Sequence, residues 1–171
     1  MIMSTLFSAL VASIAITRGQ TYDDCGTQSF TARGESISMQ IERDSANSMV
    51  RLTFTGPTDM WHGFVIGGSQ MSGYAVTIGQ GSAGTLQERS LSQYNAANTL
   101  DSSGTFTYDS GTLIFERPYT VSGNGYYDFT DLMTCQVTTI DMAVAVGASN
   151  TFGNHGNTGR TPGQSFTSTC T

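Results

Sequence analysis

A chain of 171 residues with 7 Lys+Arg against 13 Asp+Glu carries a formal charge of −6 and has the length of one domain. All seven cations are Arg and they are scattered, which excludes the clustered positive charge that a nucleic-acid backbone or an anionic membrane surface needs. Charged residues reach only 12%, Gly, Ser and Thr fill the gap, and aromatic and β-branched residues replace straight-chain helix formers, so the composition predicts an all-β fold with many turns and a proper core rather than disorder.

The first feature in chain order is an unbroken run of apolar and small residues from Leu6 to Ile16. It is too short to cross a bilayer, which takes about 20 residues, and it has the length of a signal-peptide core. Thr17 and Gly19 supply small residues for a cut before Gln20, so residues 1–19 are expected to be removed and residues 20–171 to form a single exported domain. No second apolar run long enough to span follows, hence no membrane span is expected in the mature chain. A secreted chain meets an oxidising compartment in which Cys25, Cys135 and Cys170 cannot all pair internally. Cys25 with Cys170 would close the longest loop, and Cys25 with Cys135 is the competing pair.

From Ser36 onward short β runs alternate with turn residues, as a sandwich or barrel requires. Alternation in Val50-Arg51-Leu52-Thr53-Phe54 puts Val50, Leu52 and Phe54 on one buried face. Trp61 to Ile66 is a denser strand closed by Gly67-Gly68, and Ser72 to Ile78 another, closed by Gly79. Further strands are predicted over Thr85–Arg89, Thr105–Tyr108, Thr112–Arg117 and Val137–Val146. Residues 90–104 read as loop around a short strand, and Asn150–Gln164 as a Gly/Asn loop.

Catalytic sets are scarce, because the chain has only two His, His62 and His155, and no Gly-x-Ser-x-Gly elbow. Asp128 and Asp131 are one of several carboxylate pairs that an acidic chain offers, and nothing in the sequence fixes them across a cleft. The Gly67-Gly68-Ser69-Gln70 turn lacks the Lys-Ser/Thr pair of a phosphate loop.

Two segments stand out. The first is Met60-Trp61-His62-Gly63-Phe64-Val65-Ile66-Gly67-Gly68-Ser69-Gln70-Met71-Ser72-Gly73-Tyr74, and the second joins Met142-Ala143-Val144-Ala145-Val146-Gly147 to a loop with His155-Gly156-Asn157-Thr158-Gly159-Arg160. Their pattern resembles the DOMON family: an aromatic-led strand, a Gly turn, a Met before a small residue and Gly, then a strand. A Phe-x-Arg strand, here Phe115-Glu116-Arg117, and a His-x-x-x-Gly loop follow downstream. The likeness runs from about Gln40 to Arg160 and is to the haem b-binding branch, similar to the cytochrome domain of cellobiose dehydrogenase.

The resemblance implies an immunoglobulin-like antiparallel β-sandwich of about ten strands and a haem b whose axial ligands are Met71 and His155. Met/His ligation is an established haem arrangement that raises the reduction potential. The expected pocket is lined by the β face that carries Phe64, Ile66, Tyr74 and Val76, with Arg160 as a partner for a haem propionate. Strand alternation sets Trp61, Gly63 and Val65 on one face and His62, Phe64 and Ile66 on the other, so His62 is either a rival ligand or a core residue. The implied activity is one-electron transfer with an extracellular redox partner rather than catalysis. Two rival readings are a haem-free carbohydrate-binding module, stacking sugar on Trp61, Tyr74, Tyr126 and Tyr127, and a structural extracellular protein.

Overall fold

The computed structural model describes residues 20–70, 72–79, 84–92, 98–153 and 155–169. The proposed signal segment, Met71 and Cys170 lie outside these residues. Eleven strands and one helical turn are described: β1 (Asp23–Ala32), β2 (Glu35–Asp44), β3 (Met49–Thr55), β4 (His62–Ile66), β5 (Gly73–Gly79), β6 (Thr85–Leu91), β7 (Asn98–Thr99), β8 (Thr105–Asp109), β9 (Thr112–Pro118), α1 (Thr130–Met133), β10 (Thr139–Val146) and β11 (Arg160–Thr167). They form an all-β sandwich of two antiparallel sheets, one ordered β1-β2-β3-β9-β8 and the other β11-β10-β4-β5-β6-β7.

Period-two patterning builds the core. Ile37, Met39 and Ile41 of β2, Val50, Leu52 and Phe54 of β3, and Leu113 and Phe115 of β9 point inward from the first sheet. Phe64 and Ile66 of β4, Val76 and Ile78 of β5, and Met142, Val144 and Val146 of β10 meet them from the second. Phe64 packs against Phe54 with ring centroids 5.0 Å apart and against Phe30 at 6.1 Å, so it ties both sheets together.

Two strands depart from the sequence expectation, and both lie at sheet edges. β1 precedes the first expected strand at Ser36, because only Phe30 and Ala32 give its second half an apolar face. β11 starts at Arg160, inside the stretch read as loop to Gln164. Its Pro162 and Gly163 argue against a strand in sequence terms, yet an edge strand tolerates both. The ladder between β10 and β11 shifts register between Met142 and Val144, which accommodates them.

Candidate functional site

The second sheet has an outer face as well as an inner one, and its outer face is unusually small-chained. Arg160, Ala145, Gly63 and Thr77 sit opposite one another across β11, β10, β4 and β5. The next outward row is Ala143, Val65, Ala75, Arg89 and Thr99, from β10 to β7. Val65, Ala75 and Ala143 form an apolar cluster of their own, separate from the main core, with Leu91 packed beside it. Two rows of Gly, Ala, Val and Thr leave a shallow trough with an arginine toward each side.

Described residues of the arch that follows β10, among them Phe152, Gly153, His155, Gly156 and Asn157, wall this trough into a cleft of about 820 Å³. That volume falls inside the roughly 300–1,000 Å³ typical of small-molecule and cofactor pockets. Its walls include Trp61, Gln70, Arg89, Phe152, His155 and Arg160. The arch is pinned at its start by Trp61 N–H donating to the Ser149 carbonyl at 2.8 Å and Gly147 N–H to the Trp61 carbonyl at 2.8 Å. Gly147 has no choice of residue type: a Cβ there would stand 1.9 Å from the Trp61 indole nitrogen. Phe152 lies against Trp61 with centroids 4.9 Å apart, and the Arg89 guanidinium lies 3.9 Å from its ring centre.

His155 is the titratable side chain of the arch. Its Nδ1 is 2.7 Å from the Gly156 carbonyl oxygen, which can only accept, so Nδ1 carries the proton and the neutral ring keeps its lone pair on Nε2. The backbone is held as firmly: Arg33, at the β1–β2 turn, donates from Nη2 to the His155 carbonyl at 2.6 Å, and its own N–H reaches the Thr158 carbonyl at 2.9 Å. Gly159 closes the loop where a Cβ would meet the carbonyl oxygens of His155 at 2.2 Å and Val146 at 2.3 Å.

At the opposite wall the turn between β4 and β5 is drawn tight. The N–H groups of Gly67 and Gly68 both reach the Asp141 carbonyl, Gly163 N–H reaches Ser69 O at 2.8 Å, and Ser72 N–H reaches Gln70 O at 2.8 Å. Gln70 opens onto the cleft. Met71 follows it in sequence and lies outside the described residues.

Two of the other expected site residues, Phe64 and Tyr74, belong to the core cluster. Phe64 and Tyr74 turn their rings into the sandwich core, Tyr74 donating its hydroxyl to Glu88 Oε1 at 2.6 Å. The alternation expected for β4 is present, and Trp61, Gly63 and Val65 line the cleft; Phe64 borders it as well but is packed in the core cluster, as are Ile66, Tyr74 and Val76, which do not line it. His62 is fully buried on the core side, edge-on to Phe64, and burial pushes its pKa down to about 4. It therefore stands neutral at physiological pH, away from the cleft. Arg160 is exposed at the cleft edge, as its place beside the loop suggests.

Arg89 and Arg33 carry no motif, so sequence reading passed over them. The available signal was the adjacent pair Glu88-Arg89 within a strand, since neighbouring residues point to opposite faces and one of the two charges has to enter the core. Among the described residues no group of three or more His, Cys, Asp and Glu converges on a metal ion, and no helix is long and apolar enough to cross a membrane. A porphyrin brings its own four nitrogens, so a haem asks the protein for axial donors and not for such a cluster. Of the aromatics considered for sugar stacking, Trp61 and Tyr74 are buried. Comparison with family models and with curated proteins finds no match.

Proposed function

We propose that this chain is a secreted b-type cytochrome domain, resembling the DOMON haem binders, which exchanges single electrons with an extracellular redox partner. Haem b would lie in the outer-face cleft with Met71 and His155 as axial ligands. The observation that carries this reading is convergence: Gln70, which precedes Met71, and His155, far away in the sequence, border the same apolar cleft.

A bound haem supplies one-electron iron chemistry, and thioether with imidazole ligation sets its potential higher than harder ligands do. The protein's own part is to present donors and keep water out. His155 offers Nε2 as a ready donor because the Gly156 carbonyl holds the proton on Nδ1, the outer-shell arrangement common for ligating histidines. Arg33 fixes the backbone that aims the ring. Val65, Ala75 and Ala143 give an apolar floor on which a planar ligand could lie. With Met71 and His155 both holding the iron, the haem would supply electron transfer rather than oxygen or peroxide activation. The sugar-binding alternative is less well served, because two of its stacking residues are buried.

Absorption spectra of the purified full chain, reconstituted with haem and recorded oxidised and dithionite-reduced, test the reading. The expected result is a Soret band with a narrow α band on reduction that carbon monoxide leaves unchanged. Failure to take up haem, or a high-spin product that binds carbon monoxide, overturns it.

A further inference from the structure

The cleft holds a buried cation that no acid balances. Arg89 is 8% exposed, yet among the described residues no carboxylate pairs with it. Every acidic side chain of the protein is among those residues. Its Nε donates to Thr77 Oγ1 at 3.1 Å, Nη1 to Thr99 Oγ1 at 3.4 Å, and Nη2 to Gln87 Oε1, all neutral acceptors. Those bonds use three of the five guanidinium N–H donors and leave one on each terminal nitrogen. Phe152 covers the guanidinium face. Burial alone lowers the Arg89 pKa, with no charge to offset it. A desolvated guanidinium held in a fixed geometry, with donors to spare, is the arrangement that receives a planar anion.

We infer that Arg89 is the anion anchor of the outer-face cleft, and that the cleft takes a largely apolar ligand bearing a carboxylate, whose carboxylate meets the Arg89 fork while its body lies on Val65, Ala75 and Ala143. Arg160, exposed at the opposite edge, is solvated and contributes little. The inference deepens the reading above, since it assumes only that the cleft is a ligand site. It assigns the acidic end of the ligand to the β6 side of the trough. The neutral Thr77, Thr99 and Gln87 serve as positioning residues that hold the fork.

Fluorescence titration with metal-free protoporphyrin IX and with its dimethyl ester tests the anchor without using the axial ligands. Wild type should bind the diacid at least about tenfold more tightly than the ester, the effect of one charge-assisted hydrogen-bonded contact. Arg89→Gln should remove that preference and leave ester binding unchanged, whereas Arg160→Gln should shift the diacid by less than about threefold. Arg89→Lys, which keeps the charge and loses the fork, should fall between. Equal binding of diacid and ester by wild type, a measurement that needs no variant to fold, overturns the anchor, as does an Arg89→Gln variant that keeps the preference. Dansylundecanoic acid and its methyl ester separate the two readings. If porphyrins fail to bind but the fatty acid is preferred to its ester in an Arg89-dependent way, the haem reading falls and the anchor stands. If neither pair binds, both fall.

Discussion

Arg117 and Glu88 face each other across the sandwich, Nη1 to Oε1 at 3.6 Å, with neither side chain exposed at all. Arg117 comes from β9 of one sheet and Glu88 from β6 of the other, so the pair is a polar tie through an otherwise apolar interior. Its remaining groups are largely served. Glu88 accepts from the Tyr74 hydroxyl, the Ser103 N–H and the Ser103 hydroxyl, each at 2.6 Å, and Arg117 donates from Nη2 to the Tyr127 carbonyl at 2.7 Å. Tyr74 has its own pKa raised well above the ordinary value, chiefly by burial.

Breaking that pair strands a charge in the core. Arg117→Met is expected to destabilise the fold by about 3–5 kcal/mol, because Glu88 would be left buried and unpaired. The double variant Arg117→Met with Glu88→Met should cost less than the single one, since no lone charge remains. Urea unfolding of both settles the order, and a double variant less stable than Arg117→Met alone would refute it.

Much of the scaffold was legible because alternation is explicit in Val50-Arg51-Leu52-Thr53-Phe54, and all three apolar residues of that run are fully buried. The strand from His62 to Ile66 was legible as a strand and not as an orientation. Every residue in it is buried, so period two separates its faces without saying which one meets the opposite sheet. The cleft consequently falls on the Gly63 and Val65 face, while Phe64 goes to the core. The edge strands β1 and β11 were harder still, since half of an edge strand's residues face water and carry no apolar signal. Nothing local in Arg89 or Arg33 marks their contacts, which arise from residues distant in the chain.

Burial of His62 sets a pH dependence on stability. Its folded-state pKa is about 4, below the ordinary 6.5, because burial disfavours the imidazolium more than the Met60 backbone contact favours it. The unfolded chain therefore takes up a proton first as pH falls. The contribution of neutral His62 is complete above about pH 6.5 and is lost progressively down to about pH 4, by roughly 3 kcal/mol at most. Urea midpoints of wild type and His62→Gln should diverge at neutral pH and converge toward pH 4. Parallel pH profiles for the two proteins count against this role.

The cysteine pairing is also testable. Thr169 N–H donates to the Cys25 carbonyl at 2.8 Å, which brings the residue before Cys170 against Cys25. Cys135 lies elsewhere, its sulfur 3.1 Å from Arg43 Nη1, and no bond joins it to Cys25. Cys25 is therefore expected to pair with Cys170 under oxidising conditions, and closing that loop would contribute about 4–5 kcal/mol in the chain-entropy picture. Non-reducing peptide mapping should recover a Cys25–Cys170 peptide and a Cys135 that alkylates without reduction. Recovery of a Cys25–Cys135 peptide decides against the assignment.

The two histidines make opposite predictions for a haem-loaded protein. His155 sits in the cleft wall with its Nδ1 proton held by Gly156, whereas His62 is sealed in the core on the other side of the sheet. His155→Ala should open a coordination position, converting low-spin iron to a high-spin form that binds carbon monoxide or azide, and should weaken haem retention. Met71→His should retain haem and lower its potential, because imidazole stabilises ferric iron better than thioether does. Arg33→Ala removes the 2.6 Å bond to the His155 carbonyl and leaves the ring itself intact. Its expected signature is a temperature-dependent mixture of low- and high-spin spectra rather than complete loss of the ligand, which separates a positioning role from ligation. His62→Ala should keep the low-spin spectrum while lowering thermal stability, since it leaves a void beside Phe64. If His62→Ala yields the high-spin, ligand-accepting form and His155→Ala does not, the axial assignment is reversed.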